Sequence, residues 1–337
     1  AARIRAAREP VLVVGGGATG AATDVRALAE KLGAPTVMTV NARGLLPPGH
    51  PLGVSASPSL KAVRQLLAGA GLIVAVGCEF GPTDFDMYAD GGFPPLGELV
   101  RIDIDPLQLP RGAAPAIAIE ADAGTAIRRL LDLDLGATRS GWGREAAART
   151  MREAHAELTP AMQREVAVLD LIRDTLPGAL LVGDSTQPVY AGNLYYEAAA
   201  PRSWFNSGMG FGTLGYALPA STGAAIGAGD RPVVCITGDG GVQFTLGELA
   251  VPREAGTWQL LLVWNNHGYR EIRNSMVAVD IEPEGVNVQP PEFAALAKAY
   301  GCGYLRADSL ESIRAALAVF GARRQVMMLE VAAESFE

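Results

Sequence analysis

The feature that most restricts the fold is one strand, helix and strand pattern in the second half of the chain. Val233–Thr237 and Gln259–Trp264 are short apolar runs typical of buried strands, and Phe244–Glu254 between them has the apolar spacing of a helix. This succession predicts a βαβ unit with parallel strands. A Gly-Asp-Gly cluster at 238–240 follows the first strand, and an Asn-Asn pair at 265–266 follows the second. Because open α/β sheets bind ligands at the carboxyl ends of their strands, both clusters are candidate site residues.

The rest of the chain predicts two α/β domains. A length of 337 residues exceeds one average domain. Residues 1–135 contain three strand-like runs separated by helical patterns, as expected of a Rossmann-like domain. Residues 136–164 are charged and Ala-rich, which is typical of a helical linker, and 165–337 begin with an amphipathic helix at Glu165–Thr175. The expected fold class is therefore α/β, with two doubly wound parallel-sheet domains.

Composition excludes some classes of binding partner and indicates a cellular compartment. The formal net charge of −8 argues against nucleic acid and anionic membranes, because both require a basic face. Cys78, Cys235 and Cys302 lie far apart, which fits neither a disulfide framework nor a zinc site and favours a reducing cytoplasm. No leader pattern and no apolar run of about 18 residues occurs, so neither secretion nor membrane spanning is expected. The chain does not open with Met, and we expect it to be a fragment of a longer protein.

A glycine-rich turn follows the first strand-like run. The sequence GGGATG at residues 15–20 fits the Gly-x-Gly-x-x-Gly dinucleotide fingerprint in its required position between a strand and a helix. The fingerprint also needs an acidic residue near the end of the next strand, where this chain has Asn41. A turn that lets strand and helix pack closely is therefore favoured, with NAD binding as the alternative.

Asp239 and Asn266 have the side-chain oxygens that magnesium prefers. The glycines beside Asp239 would let the backbone approach a phosphate without a Cβ between them. Two side-chain oxygens, a main-chain carbonyl just beyond Asn266, two diphosphate oxygens and a water would complete an octahedral shell. Two ordinary turns rich in small residues are the alternative. The presence of both side chains at this spacing favours a magnesium–diphosphate site.

These motifs resemble the thiamine diphosphate signature of the acetolactate synthase, pyruvate oxidase and 2-oxo acid decarboxylase superfamily. FNSGMGFGTLGYALPASTGAAIG (Phe205–Gly227) is similar to the segment that wraps the aminopyrimidine in that family, and VGDSTQPVY (Val182–Tyr190) to the first diphosphate loop. IDIDP (Ile102–Pro106) is similar to the end of the central domain. The resemblance covers nearly the whole chain, as two domains of a three-domain family. The N-terminal pyrimidine domain, which carries the glutamate that activates N1′ of the cofactor, is missing from this sequence, so the catalytic residue is unassigned and this chain alone is expected to be inactive.

The resemblance implies a role for each matching position. Asp239 and Asn266 would bind the metal through side chains, and Gly268 through its carbonyl. Leu214 would lie beneath the bent cofactor, which is compatible with its being a core leucine, and the Gly212 carbonyl would hold the 4′-amino group. Contacts to the cofactor diphosphate would come from two loops, through Thr186, Gln187, Gly238, Gly240 and Gly241.

The segment NNHGYREIRNSM, residues 265–276, is expected to roof the reacting carbon. Its candidates for substrate contact are His267, Tyr269, Glu271, Ile272 and Arg273. The alternatives are a solvated loop position for His267, a packing role for Tyr269, and a solvated helix face for Glu271 and Arg273.

The implied function is decarboxylation or carboligation of a 2-oxo acid with thiamine diphosphate and Mg²⁺, as in acetolactate synthase. The segment GCEFGPTDFD has Glu79 and Asp84 where flavin-binding relatives carry an arginine, and acid beside a diphosphate is unfavourable, so FAD is doubtful. The whole pattern, including RGLLPPGHPLG at 43–53, is also similar to a flavin-free decarboxylase of a guanidino-substituted 2-oxo acid. Glu271 would suit a cationic tail in that alternative.

A non-catalytic α/β binding module is the alternative from another class. A structural relative would have no physical reason to keep both Asp239 and Asn266, so the enzyme is favoured. The resemblance also implies a homodimer or homotetramer, since the family builds its active site across subunits. Apolar surface is expected around residues 205–218.

Overall fold

The protein divides into two compact units. The computed structural model describes residues 1–86, 92–93, 96–136 and 141–336. The first unit comprises Ala1–Leu158 together with Asn193–Arg202, and the second comprises Thr159–Gly192 together with Ser203–Glu337. Across the described ranges, no helix combines the length and the apolar character needed to cross a bilayer.

The first unit is built on a parallel sheet, as its apolar runs predict. Its strands in the described part are β1 (Pro10–Val14), β2 (Thr36–Met38), β3 (Gly53–Val54), β4 (Leu72–Val76), β5 (Glu98–Asp103) and β6 (Ile117–Glu120). Their order in the sheet is β3-β2-β1-β4-β5-β6, the order of doubly wound dinucleotide-binding folds. Strands β1 and β4 are buried along their whole length, as expected of central strands with helices on both faces.

Helices flank this sheet. They are α1 (Ala2–Ala6), α2 (Ala22–Leu32), α3 (Lys61–Gly69), α4 (Pro82–Phe85), α5 (Ala123–Leu131) and α6 (Trp142–Glu157), with 3₁₀ segments at Gly16–Ala21 and Val40–Ala42. Helix α2 ends at Gly33, whose φ of 59° gives the left-handed C-terminal cap. Helix α5 begins at Asp122, whose side chain accepts the Thr125 N–H at 2.8 Å.

The segment Asn193–Arg202 belongs to the first unit although it follows the first strand of the second. The backbone N–H of Ser57 donates to the Leu194 carbonyl at 2.7 Å, and Nη2 of Arg43 donates to the Asn193 carbonyl at 2.5 Å. At Gly44, with φ of 87°, an added Cβ would lie 2.2 Å from the carbonyl carbon of Ala200. The chain therefore passes very close to itself here, and only glycine fits at Gly44.

The second unit contains another parallel sheet. Within the described residues its strands are β7 (Leu180–Gly183), β8 (Trp204–Asn206), β9 (Val233–Gly238), β10 (Gln259–Asn265), β11 (Gly303–Ala307) and β12 (Met327–Ala332), in the order β11-β12-β10-β9-β7-β8. The predicted βαβ unit is confirmed, because β9 and β10 are parallel neighbours with Trp264 opposite Gly238. The strand order reverses between β7 and β9, which makes the gap beyond their carboxyl ends the topological switch point.

Helices of the second unit include two that begin earlier than predicted. They are α7 (Pro160–Thr175), α8 (Gln187–Tyr195, whose last residues belong to the first unit), α9 (Ala217–Ala228), α10 (Ala250–Glu254), α11 (Arg270–Ala278), α12 (Phe293–Tyr300) and α13 (Leu310–Arg323), with 3₁₀ segments at Ser207–Met209, Gly241–Leu249 and Ala333–Phe336.

The predicted linker, residues 136–164, is divided between helices α6 and α7, and its residues 137–140 lie outside the described ranges. Helix α7 starts at Pro160 rather than Glu165, because the Thr159 hydroxyl caps it by accepting the Met162 N–H at 3.2 Å.

The helix predicted at Phe244–Glu254 starts earlier and is interrupted. Thr245 has non-helical dihedrals, φ −135° and ψ 26°, and its hydroxyl donates to the Gly215 carbonyl at 3.1 Å. This bond connects the segment after β9 to the loop before α9, so the interruption follows from a tertiary contact.

Candidate active site

A cavity of about 280 Å³ opens at the switch point of the second sheet. The loops after β7, β9 and β10 line it together with the start of α11. Most of the site residues predicted from the sequence line this cavity: Thr186, Gln187, Gly212, Leu214, Gly238, Gly240, Gly241, Asn266, Gly268, Tyr269, Glu271 and Ile272. Ser185, Tyr190 and Arg270 also line it, and sequence reasoning assigned them no role.

Asp239, the predicted metal ligand, is fully buried and is not among the described residues that line the cavity, but it bonds to two residues that are. Its Oδ2 accepts the Gly268 N–H at 2.8 Å, and its Oδ1 accepts the Asn266 N–H at 3.3 Å. Burial raises the pKa of the Asp239 carboxyl, and these two N–H bonds act in the opposite direction. The loop that supplies the bonds contains His267 at φ 60° and Gly268 at φ 134°. The carboxylate therefore fixes the loop after β10 in an unusual left-handed conformation.

The amide of Asn266 completes a group of three oxygens. Its Nδ2 donates to Gln187 Oε1 at 2.9 Å, which leaves its oxygen position 2.8 Å from the Gly268 carbonyl oxygen and 3.1 Å from Asp239 Oδ1. Rotating the amide would put a donor against those two acceptors. However, Trp264 Nε1 donates to the same Gln187 Oε1 at 3.1 Å, so Gln187 presents an oxygen, and Asn266 must offer its NH₂.

Three converging oxygens are favourable where a hard cation binds between them. One carboxylate, one amide oxygen and one main-chain carbonyl are the ligand set predicted for magnesium from the sequence. The residues present therefore fit this metal.

Three glycines form a cradle beside the oxygens. A Cβ on Gly240 would lie 2.6 Å from the Tyr269 ring, and a Cβ on Gly238 would lie 3.3 Å from the Thr186 hydroxyl. At Gly241 an added Cβ would meet Asp184 Oδ2 at 3.3 Å. All three glycines line the cavity, and the absence of a Cβ lets a ligand come close to their backbone.

Asp184 is a buried carboxylate that the sequence reasoning did not single out. It follows β7, is 1% exposed, and its Oδ2 accepts the Gly215 N–H at 2.8 Å and the Thr237 hydroxyl at 3.2 Å. Burial raises the pKa of Asp184, while its hydrogen bonds act to lower it. This side chain connects the ends of β7 and β9 to the Gly212–Gly215 loop. An acidic residue directly after a buried strand in VGDS was the signal that could have identified it.

The Gly212 carbonyl and the Leu214 side chain lie on the same loop. The Ser185 hydroxyl donates to the Gly212 carbonyl at 3.0 Å and lies 3.0 Å from the Ser207 hydroxyl. Gly215 has φ 82°, and its added Cβ would lie 2.8 Å from Phe244 Cβ, so the loop depends on glycine there. A carbonyl has a second lone pair, so Gly212 can still accept a bond from a ligand.

The predicted substrate residues separate into two groups. Glu271 lies in the first turn of α11 and lines the cavity, and the Tyr269 ring packs against Gly240, as its alternative interpretation expected. His267 and Arg273 are not among the described residues that line the cavity. The His267 imidazole instead lies 3.7 Å from the Glu334 carboxylate. The left-handed backbone at His267 accounts for this direction.

Tyr190 and Glu271 give one wall of the cavity its polarity. Burial raises the pKa of the Tyr190 phenol, the Ser185 hydroxyl acts against that shift, and the negative charge of Glu271 adds to it. Glu271 is therefore close enough to Tyr190 to repel a phenolate. Arg270, the residue before Glu271, also lines the cavity, so its charged lining in the described residues includes one basic and one acidic side chain.

The first unit has a separate cavity of about 360 Å³, beyond β1, β4 and β5, where a dinucleotide would bind. Its lining includes Glu79, Asp103 and Asp122. Arg101 on β5 does not offset these acids, because its guanidinium is buried and donates to the Cys78 carbonyl at 2.9 Å and the Leu109 carbonyl at 3.2 Å. Three carboxyl groups are a poor environment for a dinucleotide diphosphate.

The glycine turn of the first unit is used for packing. The N–H of Gly15 donates to the Val76 carbonyl and that of Gly17 to the Gly77 carbonyl, both at 3.0 Å. A Cβ on Gly15 would lie 2.2 Å from the Gly77 oxygen. These contacts favour a packing role for the glycine turn over NAD binding, although the close approach is between two turns, whereas a strand and a helix were expected to pack closely.

The glycine cradle, the three converging oxygens and the two doubly wound sheets can now be compared with known proteins. Residues 1–130 match the central domain of the thiamine pyrophosphate enzymes, and residues 184–331 match their C-terminal TPP binding domain; thiamine pyrophosphate is a synonym of thiamine diphosphate. The chain belongs to the thiamine pyrophosphate enzyme family. The family and the fold class predicted from the sequence are confirmed.

Individual relatives come from two kinds of enzyme. The chain is 38% identical over 334 residues to the probable 2-ketoarginine decarboxylase of Pseudomonas aeruginosa, which covers 98% of this chain and 59% of that protein. It is 32% identical over 271 residues to the acetolactate synthase isozyme 1 large subunit of Escherichia coli, covering 79% of this chain and 48% of that subunit. The acetolactate synthase of Mycobacterium bovis is 30% identical over 338 residues, which covers 92% of this chain and 53% of that protein. The chain thus spans about half the length of the curated relatives it matches.

Proposed function

We propose that the protein containing this chain decarboxylates a 2-oxo acid with thiamine diphosphate and Mg²⁺, and that the substrate has a cationic side chain. The observation that carries the proposal is the convergence of Asp239, Asn266 and Gly268 oxygens beside the glycine cradle. A structural α/β module would gain nothing from three oxygens brought this close together.

The residues of this chain would hold the cofactor and its metal. Asp239, Asn266 and Gly268 would bind Mg²⁺, and the N–H groups of Gly240 and Gly241 would bind the diphosphate. When bound, thiamine diphosphate supplies an electron sink for the carbon that loses carbon dioxide. The contacts predicted for the cofactor ring system are Leu214 and the Gly212 carbonyl, with Thr186, Gln187 and Gly238 completing the diphosphate site.

Glu271 supports a cationic substrate. Its carboxylate lines the cavity near Tyr190, and a guanidinium group pairs with a carboxylate through two parallel hydrogen bonds. One relative is named a probable 2-ketoarginine decarboxylase, a name that fits this chemistry. Relatives named acetolactate synthase support a second candidate, carboligation of a small 2-oxo acid.

The glutamate that activates N1′ stays unassigned, so we expect the chain alone to hold part of the cofactor contacts. Phe211 is fully exposed and Phe244 is 62% exposed, both beside the loops of the cavity, which supports assembly as a homodimer or homotetramer through this surface. Light scattering tests this assembly, and a monomer at high concentration would count against it.

Calorimetric titration with thiamine diphosphate and Mg²⁺, repeated with EDTA, tests the cofactor site. Binding should require the metal, disappear in Asp239→Ala and persist in Glu334→Ala. Glu334 is an exposed carboxylate beside the same loop, so its variant carries the same charge change. The proposed function would be refuted if neither the wild-type chain nor the full-length protein bound thiamine diphosphate.

The substrate class is tested in the full-length protein with two 2-oxo acids. Loss of a charge-assisted hydrogen bond in Glu271→Gln should raise KM for a guanidino 2-oxo acid about 10- to 100-fold. KM for pyruvate should not change, and Arg273→Gln, on the same helix, should affect neither substrate. Turnover of pyruvate alone, with the guanidino acid unused, would favour the acetolactate-forming candidate.

A further inference from the structure

A hydrogen-bonded chain of three side chains crosses three neighbouring strands of the second sheet. Tyr304 on β11 donates its hydroxyl to Glu330 Oε2 at 2.6 Å. Glu330 on β12 accepts the Asn265 Nδ2–H on its other oxygen, Oε1, at 2.8 Å. Asn265 is the last residue of β10 and immediately precedes the predicted metal ligand Asn266. Both carboxylate oxygens of Glu330 therefore accept from a neutral side chain.

The strand register puts Glu330 within reach of the end of β10. It pairs with Val263 on one side and with Arg306 on the other. Glu330 is half-buried, whereas Asn265 is 7% exposed. Burial raises the pKa of the Tyr304 phenol, and its bond to Glu330 adds to the shift, so Tyr304 stays a donor to the carboxylate at neutral pH.

Asn265 transmits this contact to the loop. With its NH₂ held by Glu330, its Oδ1 faces the other way and accepts the His267 N–H at 3.2 Å. That bond spans Asn266 and forms where His267 has a φ of 60°. The next residue, Gly268, donates to Asp239 Oδ2 at 2.8 Å. The loop that carries two predicted metal ligands is thus held from one side by Asp239 and from the other by Asn265.

We infer that Glu330 is a positioning residue for the metal site, acting through Asn265 on the loop 265–268. This inference rests on the proposed function for its consequence, since it assumes that Asn266 and Gly268 bind the metal. The contact itself does not depend on a metal. Partners that orient metal ligands in this way typically contribute 10- to 100-fold to metal affinity.

Hydrogen exchange measured on a peptide that covers residues 265–270 tests the contact without any cofactor. Glu330→Met removes both acceptors at similar side-chain length, and should speed exchange of this peptide about tenfold. Glu330→Gln keeps an acceptor for Asn265 and should restore most of the protection. Glu334→Met removes a carboxylate beside the same loop and should have no effect. If Glu330→Met folds poorly, Asn265→Ala removes the same hydrogen bond by deleting its donor.

Metal affinity is then measured by titrating Mn²⁺ in the presence of saturating thiamine diphosphate. Glu330→Met should weaken binding about 10- to 100-fold, and Glu330→Met in the Asn265→Ala background should add nothing further. Equal exchange and equal affinity in wild type and Glu330→Met would overturn the inference, as would an equal effect of Glu334→Met. Faster exchange in Glu330→Met would support the positioning contact even if the wild type bound no Mn²⁺. The absence of Mn²⁺ binding by the wild type would refute the proposed function.

Discussion

Replacing Gly268 by alanine should distort the loop after β10. Gly268 has φ of 134°, a region nearly restricted to glycine, and strain of this kind costs about 1–3 kcal/mol. The new Cβ would lie 2.6 Å from the Val286 carbonyl oxygen and 3.1 Å from the Val288 nitrogen, and neither backbone atom can rotate away. Such overpacking adds about 1–3 kcal/mol. Together these costs predict a loss of about 2–6 kcal/mol in the free energy of unfolding.

A matched control separates the two causes. Gly285 also has a positive φ, 71°, but no described atom comes within 4 Å of the position that an added methyl group would take, so Gly285→Ala should lose only the backbone cost of about 1–2 kcal/mol. Urea denaturation followed by tryptophan fluorescence compares the variants, and calorimetry with thiamine diphosphate and Mg²⁺ reports the site. Equal losses in both variants would refute the steric argument. Full cofactor binding by Gly268→Ala would refute the role assigned to this loop.

Further outcomes concern both units. Asp184→Ala leaves the Gly215 N–H and the Thr237 hydroxyl without their acceptor and should cost about 2–4 kcal/mol, with a smaller loss in Asp184→Asn, as measured by urea denaturation. Because burial raises the pKa of Asp184 above 3.8, its stabilising contribution is present below that value and is lost as pH rises through the folded-state pKa. Wild type should therefore lose stability relative to Asp184→Asn with rising pH, and a constant difference would contradict the shift. Gly15→Ala, whose Cβ meets the Gly77 oxygen at 2.2 Å, should destabilise the first unit by about 3 kcal/mol, whereas Gly20→Ala, with open space around it, should not; Trp142 fluorescence during denaturation compares them.

The sequence predicted the elements whose signal is local. Long buried runs such as Val233–Thr237 have only one reasonable interpretation, and adjacent parallel strands bring their following loops together. Asp239 and Asn266 were therefore predictable neighbours. The two-residue strand β3 and the wholly exposed strand β6 have no such signal, because their pairing depends on the edges of a sheet already formed.

Parts of the site that depend on tertiary contacts were not predictable. Ser185 lies in the loop between β7 and α8 and Tyr190 lies on α8, and no periodicity in the sequence marks either residue as lining the cavity. His267 was a candidate for substrate contact from its place beside the metal loop, with a solvated loop position as the alternative. Its backbone is left-handed, and its ring lies near Glu334. Two hydrogen bonds hold this conformation: the His267 N–H donates to Asn265 Oδ1, and the Gly268 N–H donates to Asp239 Oδ2. The interruption at Thr245 likewise follows from its bond to Gly215.

The passage of Asn193–Arg202 into the first unit affects the order of events during synthesis. Domains generally fold as units, the N-terminal one first, as the chain leaves the ribosome. Here the Ser57 and Arg43 partners are residues 194 and 193, so the first unit is incomplete when Leu158 has been made. Synthesis from residue 158 to residue 202 adds roughly 2–9 s at 5–20 residues per second. During that interval β7 of the second unit is made before the last segment of the first unit.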